Sequence, residues 1–326
     1  MQDAPDPQTP IPFMDHLSNL AGDGGYFRQI GEAHHALYRP AGKTLLVEFD
    51  ILGAVRTRPG AQPWSSRLAR KRGWSTLSIL SNGRTWFRDK ALFAYFDGLT
   101  DDEFFDDFER VVFAGADTGA YAAAAYSVAA PGATVFLVRP FATLDRTIAP
   151  WERRFRSDWS LSFGPRYGYA PGMLDAAERV YVVSDPTERT DAMHASLFRG
   201  DHITHLPARN GGQDLRTRLE AMGILDRIVA GAEAGSLTPL RFAQLWRARH
   251  QDAVWLSGML RKIDGMQRPW LQAVFASEML RRTGSPAARR RLNAALAQLD
   301  ADGKTPPHGL GPSVPTVRDR MLMAGE

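Results

Sequence analysis

Six short apolar runs separated by helical patterns limit this chain more than any other feature. They are Thr44–Ile51 (TLLVEFDI), Thr76–Ser81, Arg110–Ala114 (RVVFA), Thr134–Val138 (TVFLV), Val180–Val183 (VYVV) and Ile203–Leu206. Runs this short and this continuously apolar suit strands buried on both faces, as in a parallel sheet with helices above and below. The segments between them read as helices: 63–72 closed by Gly73, 90–99, 119–129 and 214–222. Tyr26–Ile30 and His35–Arg39 read as a leading strand pair, and Thr100-x-x-Glu103 as a capping box. The expected fold class is α/β, a mostly parallel central sheet in a three-layer sandwich.

Domain organisation follows from where the alternation stops. Residues 1–13, with four prolines, read as a flexible tail, and 14–222 as the α/β domain. Residues 139–178 form an insertion between two sheet strands, a cap. From 223 to 302 no strand signal remains, so this stretch reads as a helical lobe, with helices near 269–283 and 286–299 and a core of Trp246, Trp255, Trp270 and Leu271. Residues 303–326 read as a second flexible tail. No apolar stretch reaches the roughly 20 residues needed to span a bilayer, and no signal peptide is visible, so a cytoplasmic location without membrane contact is expected.

One segment combines strand, turn and helix in a form that carries chemistry. Val111-Val112-Phe113-Ala114-Gly115-Ala116-Asp117-Thr118-Gly119-Ala120-Tyr121 places Asp117 between two glycines, ahead of a helix rich in small residues. A nucleophile elbow has this shape: the central side chain projects above the sheet edge, and the helix N-terminus behind it favours negative charge. Thr118 would lie beside a ligand there.

The order of elements from Thr44 to Met222 resembles the α/β-hydrolase superfamily. An Asp at the elbow resembles the haloalkane-dehalogenase and epoxide-hydrolase branches, and that resemblance implies a covalent ester on Asp117. It implies a supporting acid at Asp185, in Val182-Val183-Ser184-Asp185-Pro186, and a His in the loop Pro207–Leu215. Gln213 stands where the His is expected, so the triad is degenerate. His194 and His205 are the nearest substitutes in sequence, and His194 is the one assigned to the catalytic set. His202–His205 and His34–His35 have the wrong spacing for a chelate on a strand, so no metal site is expected. No cofactor is implied.

The cap is rich in arginine and aromatics. Arg139, Arg146, Arg153, Arg154, Arg156 and Arg166 alternate with Phe141, Trp151, Phe155, Trp159, Phe163, Tyr167 and Tyr169. Such a surface suits an anionic ligand with an apolar portion. Arg139, Arg153 and Arg154, with Arg84 and Trp86 from the Ser81–Trp86 turn and Gln213, are the expected binding residues. Arg281-Arg282 and Arg289-Arg290-Arg291 read as solvated helix faces that could meet an acidic partner. A net charge of +4 spread over 326 residues is no nucleic-acid footprint.

Over nearly its whole length the chain is also similar to a bacterial family often labelled phosphoadenosine phosphosulfate reductase, through LLVEFD, TWFRD, AYFD, YAAAAYSVAAPGATV, RYGYAP, DAMHA and AMGILDR. The chain has no cysteine, which excludes thiolate catalysis, disulfides and Cys-ligated metals. Two readings stay open. One is a hydrolase of an ester, epoxide or similar small electrophile, with Asp117 central. The other is a non-catalytic or regulatory protein of the same fold that binds an anionic small molecule or partner. Self-association is compatible with both.

Overall fold

The computed structural model describes residues 12–164, 166–307 and 309–310. Eight strands form one sheet: β1 (Tyr26–Ile30), β2 (His34–Arg39), β3 (Thr44–Ile51), β4 (Ser75–Ser81), β5 (Arg110–Ala116), β6 (Thr134–Val138), β7 (Arg179–Ser184) and β8 (Ile203–Pro207). Their order is β1-β2-β4-β3-β5-β6-β7-β8. β2 runs antiparallel to both neighbours, and the remaining pairs are parallel. This strand order and sense give an α/β-hydrolase-like fold.

Side-chain alternation explains why the strands are apolar throughout. Leu77 and Ile79 of β4 point into one core and Leu80 into another. The first core is shared with α4 (Lys90–Asp101) and α5 (Thr118–Tyr126), the second with α1 (Phe13–Ala21) and α2 (Leu52–Thr57). Both faces are therefore covered. The remaining helices are α3 (Ser66–Arg72), α6 (Arg189–Ala195), α7 (Leu215–Ala221), α8 (Leu225–Glu233), α9 (Pro239–Trp246), α10 (Ala253–Asp264), α11 (Pro269–Thr283) and α12 (Pro286–Ala301).

Three expectations need correction. Thr100 lies inside α4, and its hydroxyl donates to the Phe96 carbonyl at 3.0 Å. It therefore does not open a new helix, and the Phe104–Asp107 turn starts from Glu103 at φ 55°. The chain divides into two compact units between Leu245 and Trp246, not at residue 223. The first unit therefore contains α7, α8 and most of α9. In the second unit α10, α11 and α12 pack through Trp255, Leu260, Ala276 and Leu292, whereas Trp270 is 53% exposed and outside that core. Most of the expected tails lies outside the described residues. Phe13, at the end of the first, begins α1.

Candidate functional site

The Asp117 turn owes its form to two close approaches. A Cβ on Gly115 would lie 2.1 Å from the Gly119 carbonyl oxygen, and one on Gly119 would lie 2.3 Å from the Phe49 carbonyl oxygen. Only glycine at both positions lets the strand reverse into α5 while α5 rests on β3. Asp117 between them has φ 57° and ψ −121°, a conformation that costs a non-glycine residue on the order of 1–3 kcal/mol. Its N–H donates to the Val138 carbonyl, and its carbonyl accepts from Ala120 and Tyr121. Thr118 and Gly119, the first two residues of α5, have no carbonyl one turn back to receive their N–H groups.

Backbone strain recurs along this edge of the sheet. Trp86 and Phe87 after β4, Arg139 after β6 and Asn210 after β8 also have positive φ. Beside Asp117 lies a cavity of about 140 Å³, lined among others by Asp50, Arg58, Trp64, Thr118 and Arg216. Asp50 and Arg58 form a two-pronged ion pair there. Sequence reading missed both residues, although their eight-residue separation across the end of β3 was open to view.

The carboxylate of Asp117 is 47% exposed and ion-paired to Arg139 Nη1. Desolvation outweighs the attraction of Arg139 and raises its pKa. Arg139 Nε donates to Asp191 at 2.7 Å, and Arg154 Nη1 binds the other oxygen of Asp191. Arg154 also grips Glu152, which in turn accepts from His194 Nε2 at 3.1 Å. Burial opposes ionisation of Glu152, but the His194 and Arg154 hydrogen bonds prevail and hold its pKa at about 2. A continuous series of opposite charges thus runs from Asp117 through Arg139, Asp191 and Arg154 to Glu152, and His194 meets its far end.

His194 is fully buried at the far end of that series. Its Nδ1 accepts from the Ala142 N–H at 3.2 Å, so the ring proton sits on Nε2 and points at Glu152. No hydrogen bond joins it to Asp117. Among the described histidines none lines the cavity. His34 bonds Thr85, His16 the Gly60 carbonyl and His205 the Phe198 carbonyl. No group of three or more His, Asp or Glu among the described residues could hold a metal ion.

Asp185 is buried at the end of β7 and fully occupied. It accepts from Thr187 N–H and hydroxyl, from Asn210 N–H at 3.0 Å and from Gly212 N–H at 3.0 Å. The next residue, Gln213, is exposed and is not among the cavity residues.

The other expected binding residues mostly hold the cap. Trp86 is 0% exposed; its ring packs on Tyr121, Phe141, Phe155 and Phe163 and its Nε1 donates to Asp158 at 2.8 Å. Arg84 binds the same Asp158 carboxylate. Trp86 is therefore core, not a ligand-facing surface. Arg139 and Arg154 meet carboxylates of the chain itself, and Arg153 is exposed. Thr118 is the one expected binding residue that lines the cavity beside Asp117.

No protein-family model matches the chain, and no curated protein does. The resemblance to proteins labelled phosphoadenosine phosphosulfate reductase therefore has no support from either. Solved structures are similar at the level of fold. An esterase domain from Rhodothermus marinus shares 12% identity over 64% of this chain and 96% of that one, with a TM-score of 0.43. The capsule O-acetyltransferase of Neisseria meningitidis serogroup A shares 12% over 65% and 99%, with a TM-score of 0.41. An α/β-hydrolase from a lagoon-sediment metagenome shares 11% over 61% and 96%, with a TM-score of 0.37. The fold assignment rests on the strand order itself.

Proposed function

We propose that this chain is a ligand-binding α/β-hydrolase-like protein in which Asp117 serves as an ionic anchor and not as a nucleophile. The Asp117–Arg139 ion pair carries the reading. A guanidinium on the carboxylate withdraws electron density from the oxygen that would attack, and among the described residues no imidazole lines the cavity to activate a water. Asp185, in the position of the supporting acid, is committed to backbone N–H groups.

The cavity of about 140 Å³ has room for a small polar group, roughly four or five waters in volume at about 30 Å³ each. The open N-terminus of α5 and Arg216, whose Nη1 also binds Glu220, favour an oxyanion there, a carboxylate or the anionic end of a larger molecule, while Arg58 is already held by Asp50. A second reading, a hydrolase, is favoured by the strained and half-exposed elbow residue, a geometry that costs free energy and suits an attacking group.

One pair of measurements separates the two. In a panel of activated esters and epoxides, the chain should give no turnover above buffer. Acetate at about ten times its Kd should raise Tm by about 3 °C over chloride at matched ionic strength, and Arg216→Gln should remove that difference. Turnover that disappears in Asp117→Asn would overturn the binding reading in favour of the hydrolase.

A further inference from the structure

The two units differ in charge. Residues 246–326 contain 13 basic and 7 acidic residues, a net +6, whereas residues 1–245 contain 27 and 29, a net −2. Within the basic unit, the turn from α10 to α11 exposes two large apolar side chains four residues apart, Met266 at 46% and Trp270 at 53%. Arg261, Lys262 and Arg268, close to them in sequence, are all exposed. The acid of this turn, Asp264, is already engaged by Arg291 Nε at 2.9 Å. The Arg261 and Arg268 guanidinium groups pair with no carboxylate among the described residues. At Arg261 and Arg268 the turn therefore combines positive charge free of a carboxylate among the described residues with an indole and a thioether in water.

We propose that the α10–α11 turn docks on an anionic lipid bilayer. An indole is favoured at the headgroup level, where its ring is desolvated and its N–H stays hydrated. Arginine and lysine can lay their stems along the apolar boundary while their charged ends reach lipid phosphates. Among the described residues no helix is long and apolar enough to cross a membrane, so the contact is at the surface. A fluid interface also suits a helix-to-helix turn with only two apolar side chains, because a protein partner would need upward of about 1,000 Å² of matched surface. A nucleic acid would reward the charges and leave Met266 without a role. The inference departs from the absence of membrane contact expected from the lack of a bilayer-spanning apolar stretch, because a surface contact needs no such span.

The test uses the full chain and sucrose-loaded vesicles of phosphatidylcholine, with and without about 30% phosphatidylserine. Pelleting with the anionic vesicles is expected, falling at least tenfold with neutral vesicles or in 0.5 M NaCl. Met266→Ala with Trp270→Ala, and separately Arg261→Gln with Arg268→Gln, should each lower partitioning at least fivefold with an unchanged melting curve, since all four side chains are exposed. No pelleting, equal pelleting with neutral vesicles, or wild-type pelleting by both double variants would overturn the proposal. Displacement from vesicles by a short DNA duplex that itself binds more tightly would overturn it in favour of a nucleic-acid partner.

Discussion

Asp117 and Asp185 both follow parallel strands at the same edge of the sheet, and their carboxylates are used in opposite ways. Asp117 is half-exposed, sits on strained backbone and meets a side chain, Arg139, that links it to the cap. Asp185 is buried and meets two backbone N–H groups of the loop after β8, as well as the N–H and hydroxyl of Thr187. In the first region a carboxylate on strained backbone is held in an ion pair. In the second, the acid that would orient an imidazole holds the loop itself in shape. Loop geometry and catalytic chemistry are thus separable: the same carboxylate can fix a loop whether or not a histidine stands in it.

The largest expected effect lies on the elbow side. Asp191 is 3% exposed and joins Arg139 to Arg154. Asp191→Ala removes a buried carboxylate that pairs with both Arg139 and Arg154, leaving each guanidinium one partner, which should cost about 3 kcal/mol in urea unfolding. Arg153→Gln, at an exposed residue that, unlike its neighbour Arg154, forms no ion pair among the described residues, should stay within about 0.5 kcal/mol. A loss below about 1 kcal/mol in Asp191→Ala would mean that the series of charges does not hold the cap to the elbow.

Behind the elbow, β3 offers the same contrast between neighbours. Asp50 has Arg58, whereas Glu48, two residues earlier, is fully buried and, among the described residues, accepts from Ser65 N–H, Ser65 hydroxyl and Ser78 hydroxyl. Burial, assisted by Asp50, pushes its pKa from 4.5 up to about 7. A carboxyl whose pKa is raised by folding favours the fold fully below the unfolded value, and that contribution is lost as pH rises through the folded value. Stability should therefore fall between about pH 4.5 and 7 and then level, by about 3 kcal/mol at 1.36 kcal/mol per pH unit. Glu48→Gln should flatten that slope and unfold at higher urea than the wild type at pH 8, with no gain at pH 4. Parallel profiles for the two proteins would sink the assignment.

The sheet was legible because buried parallel strands need apolar residues on both faces, which leaves runs such as TVFLV that no surface element requires. The tight turn at Asp117 was legible for a local reason too: Gly115 and Gly119 bracket Asp117 where strand and helix must touch. α1 was hidden by the prolines ahead of it, and the α4 boundary by Thr100, which bonds back to Phe96 instead of starting a turn. The charge series was illegible because its members lie far apart. Arg139 and Asp191 are 52 residues apart, and Glu152 and His194 are 42 apart. The arginines of the cap could be counted in sequence, but not the carboxylates that face them. His194 lies on α6, after Asp185, and its orientation toward Glu152 depends on a cap fold that composition does not encode.

The smallest effect tests the loop side. Asp185→Asn retains one oxygen for Thr187 and Asn210, but it places an NH₂ opposite the Gly212 N–H, where Oδ2 now accepts. Losing one charge-assisted hydrogen bond and setting two donors face to face should cost about 1.5–3 kcal/mol. Gly212 adopts φ 74° and Asn210 φ 58°, so the turn is held in a conformation it would leave when released. Amide exchange at residues 210–214 should accelerate in the variant while exchange in β5 and α5 stays at the wild-type rate. The anion-dependent rise in Tm should also persist, because Arg216 and Thr118 line the cavity and Asp185 does not. If the variant instead lost anion binding without loosening the loop, Asp185 would belong to the ligand site, and the separation between the two carboxylates would fail.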